Sequence, residues 1–166
     1  MKRYIRSDTE DIFCMSKLTK EYAIPEIANL IGDYVYFSEN NSSHGPRIKF
    51  YGGTKQTSKT KDAPTLKFTK DGDCELELAP WMDKQNCPNA FNNRLLNNLE
   101  KFVNQYLAIL LLVWFEHLDE AAALEYFHGH ISFEQLITTI SYEIPSAVVT
   151  LEDLDSYCRA NDLYKF

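Results

Sequence analysis

At 166 residues, 45% apolar and 13% aromatic, the chain has enough hydrophobic side chains to pack a core for one domain, which excludes intrinsic disorder. Its net charge of −7 excludes a protein that grips nucleic acid over its whole surface, because displacing phosphate counterions requires a positive surface. A local basic patch remains compatible with that total.

The four cysteines, Cys14, Cys74, Cys87 and Cys158, include no CxxC pair, and no apolar leader follows Met1-Lys2-Arg3. Reduced thiols and a cytoplasmic location are the expectation. The most apolar run, Tyr106 to Phe115, is half the about 20 residues needed to cross a bilayer, so no membrane association is expected.

In chain order, Ile12, Phe13, Met15 and Leu18 near helical spacing predict a helix over Thr9 to Tyr22. Ile24, Ile27, Ala28 and Ile31 predict a second short helix that Gly32 closes. The period then shortens to two. Val35 and Phe37, Ile48 and Phe50, Leu66 and Phe68, and Cys74, Leu76 and Leu78 alternate with polar residues, which predicts a four-stranded antiparallel meander over 34–80. Asn40 to Ser43, Gly52 to Pro64 and Asp71-Gly72 are its turns. The face opposite the apolar set would carry Tyr34, Tyr36, Arg47, Lys49, Tyr51, Lys67, Glu75 and Glu77, with Lys67 partly neutralised by its glutamate neighbours.

From Pro88 the period becomes 3.6. Phe91 through Leu118 predict one helix of more than seven turns, capped by Asn86, whose second half is apolar nearly all round and needs cover from other elements or a second subunit. Asp119 to Phe127 predicts a helix stopped at Gly129. Ser132 with Gln135 and Thr150 with Asp153 have capping-box spacing and predict helices near 133–141 and 151–160. The whole reads as a single α+β domain over 1–166: N-terminal helices over 1–33, the sheet over 34–80 and a helical half over 86–166.

Charge is segregated along this plan. Residues 44–70 hold seven bases (Arg47, Lys49, Lys55, Lys59, Lys61, Lys67 and Lys70) against Asp62, whereas residues 71–166 hold sixteen acids against five bases. The Lys-rich tip lacks the order of a Walker loop, because Pro64 and a strand follow it rather than a helix. It reads either as a solvated hairpin end or as an arm for a phosphate backbone or an acidic groove. Tyr34, Tyr36 and Tyr51 beside Arg47, Lys49 and Lys67 would suit base stacking next to phosphate contacts, or would lie half covered by the terminal helices. The acidic helices read as a solvated face, or as a surface that imitates phosphates inside a basic channel. His117, His128, His130, Cys74 and Cys87 have no zinc-like spacing, so no metal and no cofactor are expected. His44 with Arg47 is the weakest reading, a general base without a carboxylate to orient it.

The aromatic strand from Val35 followed by Ser43-His44-Gly45-Pro46-Arg47-Ile48-Lys49 resembles small uncharacterised proteins of bacterial prophages. Trp114 and the run Gly129-His130-Ile131-Ser132-Phe133 to Leu136-Ile137 belong to the same resemblance, which leaves residues 1–33 and 138–166 outside it. The resemblance names no activity. It implies a phage setting, a host-cell cytoplasm and a non-enzymatic inhibitor of the anti-CRISPR kind, whose partner is an effector that handles nucleic acid, such as a Cas nuclease. The partner-binding residues expected are Arg47, Lys49, Lys55, Lys59, Lys61, Lys67, Tyr34, Tyr36 and Tyr51, on a monomer or a dimer. The alternative is a nucleic-acid-binding protein that uses this basic hairpin and sheet face directly.

Overall fold

The computed structural model describes residues 16–18, 23–31, 35–37, 45–50, 65–77 and 93–166. Helix and strand are mixed, with an antiparallel sheet followed by helices. The elements in order are β1 (Ser16–Lys17), α1 (Pro25–Ile31), β2 (Val35–Phe37), β3 (Arg47–Phe50), β4 (Thr65–Phe68), β5 (Cys74–Glu77), α2 (Asn93–Gln105), α3 (Leu107–Trp114), α4 (Glu120–Phe127), α5 (Phe133–Thr138) and α6 (Leu151–Ala160).

The strands lie side by side in chain order, each antiparallel to the next. Among the described residues, Ser16 and Lys17 add a strand that pairs with Phe37 and Tyr36, where the spacing predicted a helix. The Leu18 N–H donates to the Val35 carbonyl at 2.8 Å and the Leu18 side chain is fully buried, so long-range pairing and burial overrode local helical period. The rest of that predicted helix, and the predicted cap Gly32, lie outside the described residues.

Register explains the core. Phe37, Ile48, Leu66 and Leu76 occupy one cross-strand row, and Ile48 and Leu66 are fully buried. Ile48 and Leu66 share one hydrophobic cluster with Leu99, Phe102 and Val103 of α2, all of α3, and Leu154 and Cys158 of α6. α1 joins through Ile27 and Ile31, one turn apart on its buried face.

The long predicted helix divides at Tyr106, where φ −108° and ψ 20° leave helical geometry. Hydrogen bonding nevertheless continues: the Tyr106 N–H reaches the Phe102 carbonyl and the Leu110 N–H reaches the Tyr106 carbonyl, both at 3.0 Å. The Tyr106 ring packs against Phe102 at 5.2 Å and Phe127 at 5.5 Å. The helix also ends at Trp114, before the expected Leu118, because Glu116 turns the chain with φ 64°. Its predicted opening at Asn86 and Pro88 lies outside the described residues. Every residue of α3 is buried within the chain, so the apolar half is covered by the protein's own elements.

The later helices start and stop as their capping residues dictate. Asp119 caps α4 by accepting the Ala121 N–H, and α4 closes at Gly129 with φ 81°. There the His130 and Gly129 N–H groups donate to the Glu125 and Tyr126 carbonyls, the paired bonds of a Schellman close. Both capping boxes form, Ser132 with Gln135 and Thr150 with Asp153.

Candidate interaction surfaces

The sheet has an outward face built from the alternate residues of the same strands. One cross-strand row runs Lys17, Tyr36, Lys49, Thr65, Glu77, and the next runs Arg47, Lys67, Glu75. Of the expected partner-binding residues, Arg47, Lys49 and Lys67 are thereby brought onto one face and Tyr36 holds a register position among them. Tyr34, Tyr51, Lys55, Lys59, Lys61 and His44 lie outside the described residues.

This face is not uniformly basic or uniformly open. Lys67 stands opposite Glu75 in register, yet its ammonium reaches Glu77 at 2.9 Å. The hydrogen bond and charge of Glu77 raise the Lys67 pKa, with a smaller upward push from Glu75 and a downward one from Arg47. Arg47, Lys49 and Lys67 are half-buried, and Thr65 between Lys49 and Glu77 is only 5% exposed, so the face is covered at that point. The cations therefore lie over β3 and β4 while β5 contributes carboxylates, a dipolar rather than a wholly positive surface.

The part of the helical half that follows α2 is the second charged surface. Residues 106–166 carry ten acids and two bases, so ten minus two leaves a net −8. Both bases are held by carboxylates of the same segment. Arg159 Nε bonds Asp155 at 2.8 Å, and Lys165 Nζ bonds Asp162 at 2.9 Å. Those contacts raise the pKa of Arg159 and of Lys165 and lower that of Asp162. Glu125, Glu134, Glu143 and Glu152 are exposed.

A junction that the sequence did not signal ties the two halves together. Arg159 also reaches Asp71 at 3.4 Å, donates to the Lys70 carbonyl and lies 5.5 Å from the Tyr164 ring centroid. The Tyr164 hydroxyl donates to Asp155 at 2.5 Å. Asn104 on α2 donates to the Gly72 carbonyl at 3.1 Å, and Lys70 sits 5.2 Å from the Phe115 ring centroid. The β4–β5 turn is thus clamped by α2 and α6. No local pattern announces contacts between residues 88 positions apart.

Among the described residues no group of three or more His, Cys, Asp or Glu side chains is placed to hold a metal ion. Burial pushes the thiols of Cys74 and Cys158 up to about 11, which disfavours the nucleophilic thiolate. No helix among the described residues is long and apolar enough to cross a membrane. No protein-family model, curated protein or solved structure matches the chain.

Proposed function

We propose that this chain is a non-enzymatic interaction protein of the anti-CRISPR kind, which enters the basic nucleic-acid channel of an effector and blocks it. The observation that carries this reading is the charge of residues 106–166, ten acids against two bases that are both engaged by neighbouring carboxylates. A basic channel meets phosphates through positive potential rather than base identity, so a protein surface of net negative charge can occupy it. The capping residues hold α4, α5 and α6 in defined positions, so their carboxylates present a preorganised surface.

The second reading is direct nucleic-acid binding, favoured by Arg47, Lys49 and Lys67 on one sheet face. Glu75 and Glu77 beside Lys67 weigh against it, because a phosphate backbone laid across β3 and β4 would also meet these carboxylates. A protein surface with both signs of charge is the better fit to that face.

Co-purification with a purified Cas effector complex separates the two. The blocking reading predicts a stoichiometric complex that no longer retains its target DNA. Failure to bind such an effector, together with retained binding to a free oligonucleotide that weakens steeply with salt, would reverse the order of the two readings.

A further inference from the structure

We infer that the outer edge of β5, with which no other described strand pairs, is a second docking site, which accepts a basic extended segment of a partner protein by strand addition. The inference goes beyond the channel-blocking reading, which concerns the helices, and rests on a different part of the fold.

β5 is the last strand of the sheet and pairs only with β4 among the described residues. The parity of the ladder fixes which of its backbone groups point outward. The Thr69 N–H donates to the Asp73 carbonyl across the hairpin, while the Phe68 N–H points the other way, to the Pro46 carbonyl. Hydrogen-bonded pairs alternate along an antiparallel ladder, so Lys67 with Glu75 and Thr65 with Glu77 exchange bonds. The N–H and C=O of Cys74 and Leu76 consequently face away from β4, a four-group template for another strand.

Side chains along this edge define what would fit. Leu76 and Cys74 are half-buried, whereas Ile48 and Leu66, deeper in the sheet, are fully buried, so the apolar layer is left unfinished at β5. The opposite face of the strand carries exposed Glu75 and, already paired with Lys67, Glu77, with exposed Asp73 just before the strand. Glu100 of α2 adds to the negative charge here, since it and Asp73 both act on the Cys74 thiol. An added antiparallel strand that alternates apolar and basic residues would continue the apolar layer with one set and meet the carboxylates with the other. A second copy of β5 would instead bring glutamates against glutamates. Charge complementarity therefore points to a basic partner segment rather than to self-association.

The test uses the full chain and a fluorescein-labelled peptide of alternating lysine and valine, read by anisotropy and by amide hydrogen exchange. Valines opposite Cys74 and Leu76 would make the backbone bonds, and lysines would face Glu75 and Glu77. Methylating the valine amide nitrogens should weaken binding about tenfold, while methylating the lysine amides, with the same charge, should leave it unchanged. Glu75→Gln should weaken the unmodified peptide about threefold without altering thermal unfolding. The amides of Cys74 and Leu76 should exchange rapidly in the free protein and slowly in the complex. Equal affinity of the two methylated peptides, no binding of the unmodified peptide at low salt, or protection of these two amides before any peptide is added would each overturn the inference. Binding of this peptide is read without any effector, so its outcome is independent of whether the helical surface blocks a channel.

Discussion

Gly72 is the point at which the sheet's last turn meets the helical half, and replacing it by alanine should cost about 2 kcal/mol. Its φ of +84° lies in the left-handed region, where a side chain costs about 1–2 kcal/mol. A Cβ there would also sit 2.2 Å from Asn104 Oδ1 and 3.1 Å from its Cγ. The Asn104 side chain is flexible enough to swing away, but doing so breaks its 3.1 Å bond to the Gly72 carbonyl, a loss of about 1 kcal/mol. Reduced freedom of the unfolded chain returns about 0.5–1 kcal/mol. Asn104→Ala alone should cost about 1 kcal/mol through the same bond. Because each single change removes that bond, the double variant should be about 1 kcal/mol less destabilised than the singles together. Urea unfolding of the four proteins measures this directly. Strict additivity, or a neutral Gly72→Ala, would refute the argument that Asn104 and Gly72 form one contact.

Three other outcomes are expected. Leu110→Ala, at a fully buried position of α3, should destabilise by about 2–5 kcal/mol in the same urea assay. Ser132→Ala should cost about 1 kcal/mol by removing the α5 cap. Alkaline pH should destabilise the fold. Tyr164 is pushed far above its usual range, first by burial and then by its bond to Asp155; burial likewise raises Tyr106 to about 12 and Cys158 to about 11. Groups with raised folded pKa values contribute fully below their unfolded pKa and lose that contribution as the unfolded state ionises. Melting temperature should therefore fall progressively from about pH 9 upward, and less steeply in Tyr164→Phe, as thermal scans across pH 8–11 would record. At the acid end the sign inverts for Asp153, whose pKa is lowered first by the Val149 N–H: its contribution is present above its usual value near 3.8 and lost as pH falls through and below it.

Much of the architecture was legible because it is locally encoded. Ser132 with Gln135 and Thr150 with Asp153 are complete capping boxes within four residues, and the alternation around Ile48 and Leu66 assigns faces without reference to any partner strand. The strand at Ser16–Lys17 was not legible, since its reason for being extended is the edge of β2, about 20 residues away. Nor was the break at Tyr106, where apolar spacing runs on through a residue whose backbone departs from the helix. On the charged surfaces, pairing of Lys67 with the glutamates followed from strand order. The burial of Thr65 within the outward row did not, because period-two patterning assigns a face but not what lies over it. Arg159 was the largest omission: a single arginine in the last turn of α6 reads as a dipole partner, whereas it also spans to Lys70 and Asp71.

The most direct test of the blocking role is a displacement titration in which labelled target DNA, bound to a purified Cas effector complex, competes with this chain and with a variant carrying Glu134→Lys, Glu143→Lys and Glu152→Lys. These three glutamates are exposed on the helical half. The account predicts that the natural chain releases the DNA at stoichiometric concentration and that the variant, with the same urea midpoint, needs about tenfold more or beyond. Release that is equally efficient with both proteins, or no release by either, would contradict it.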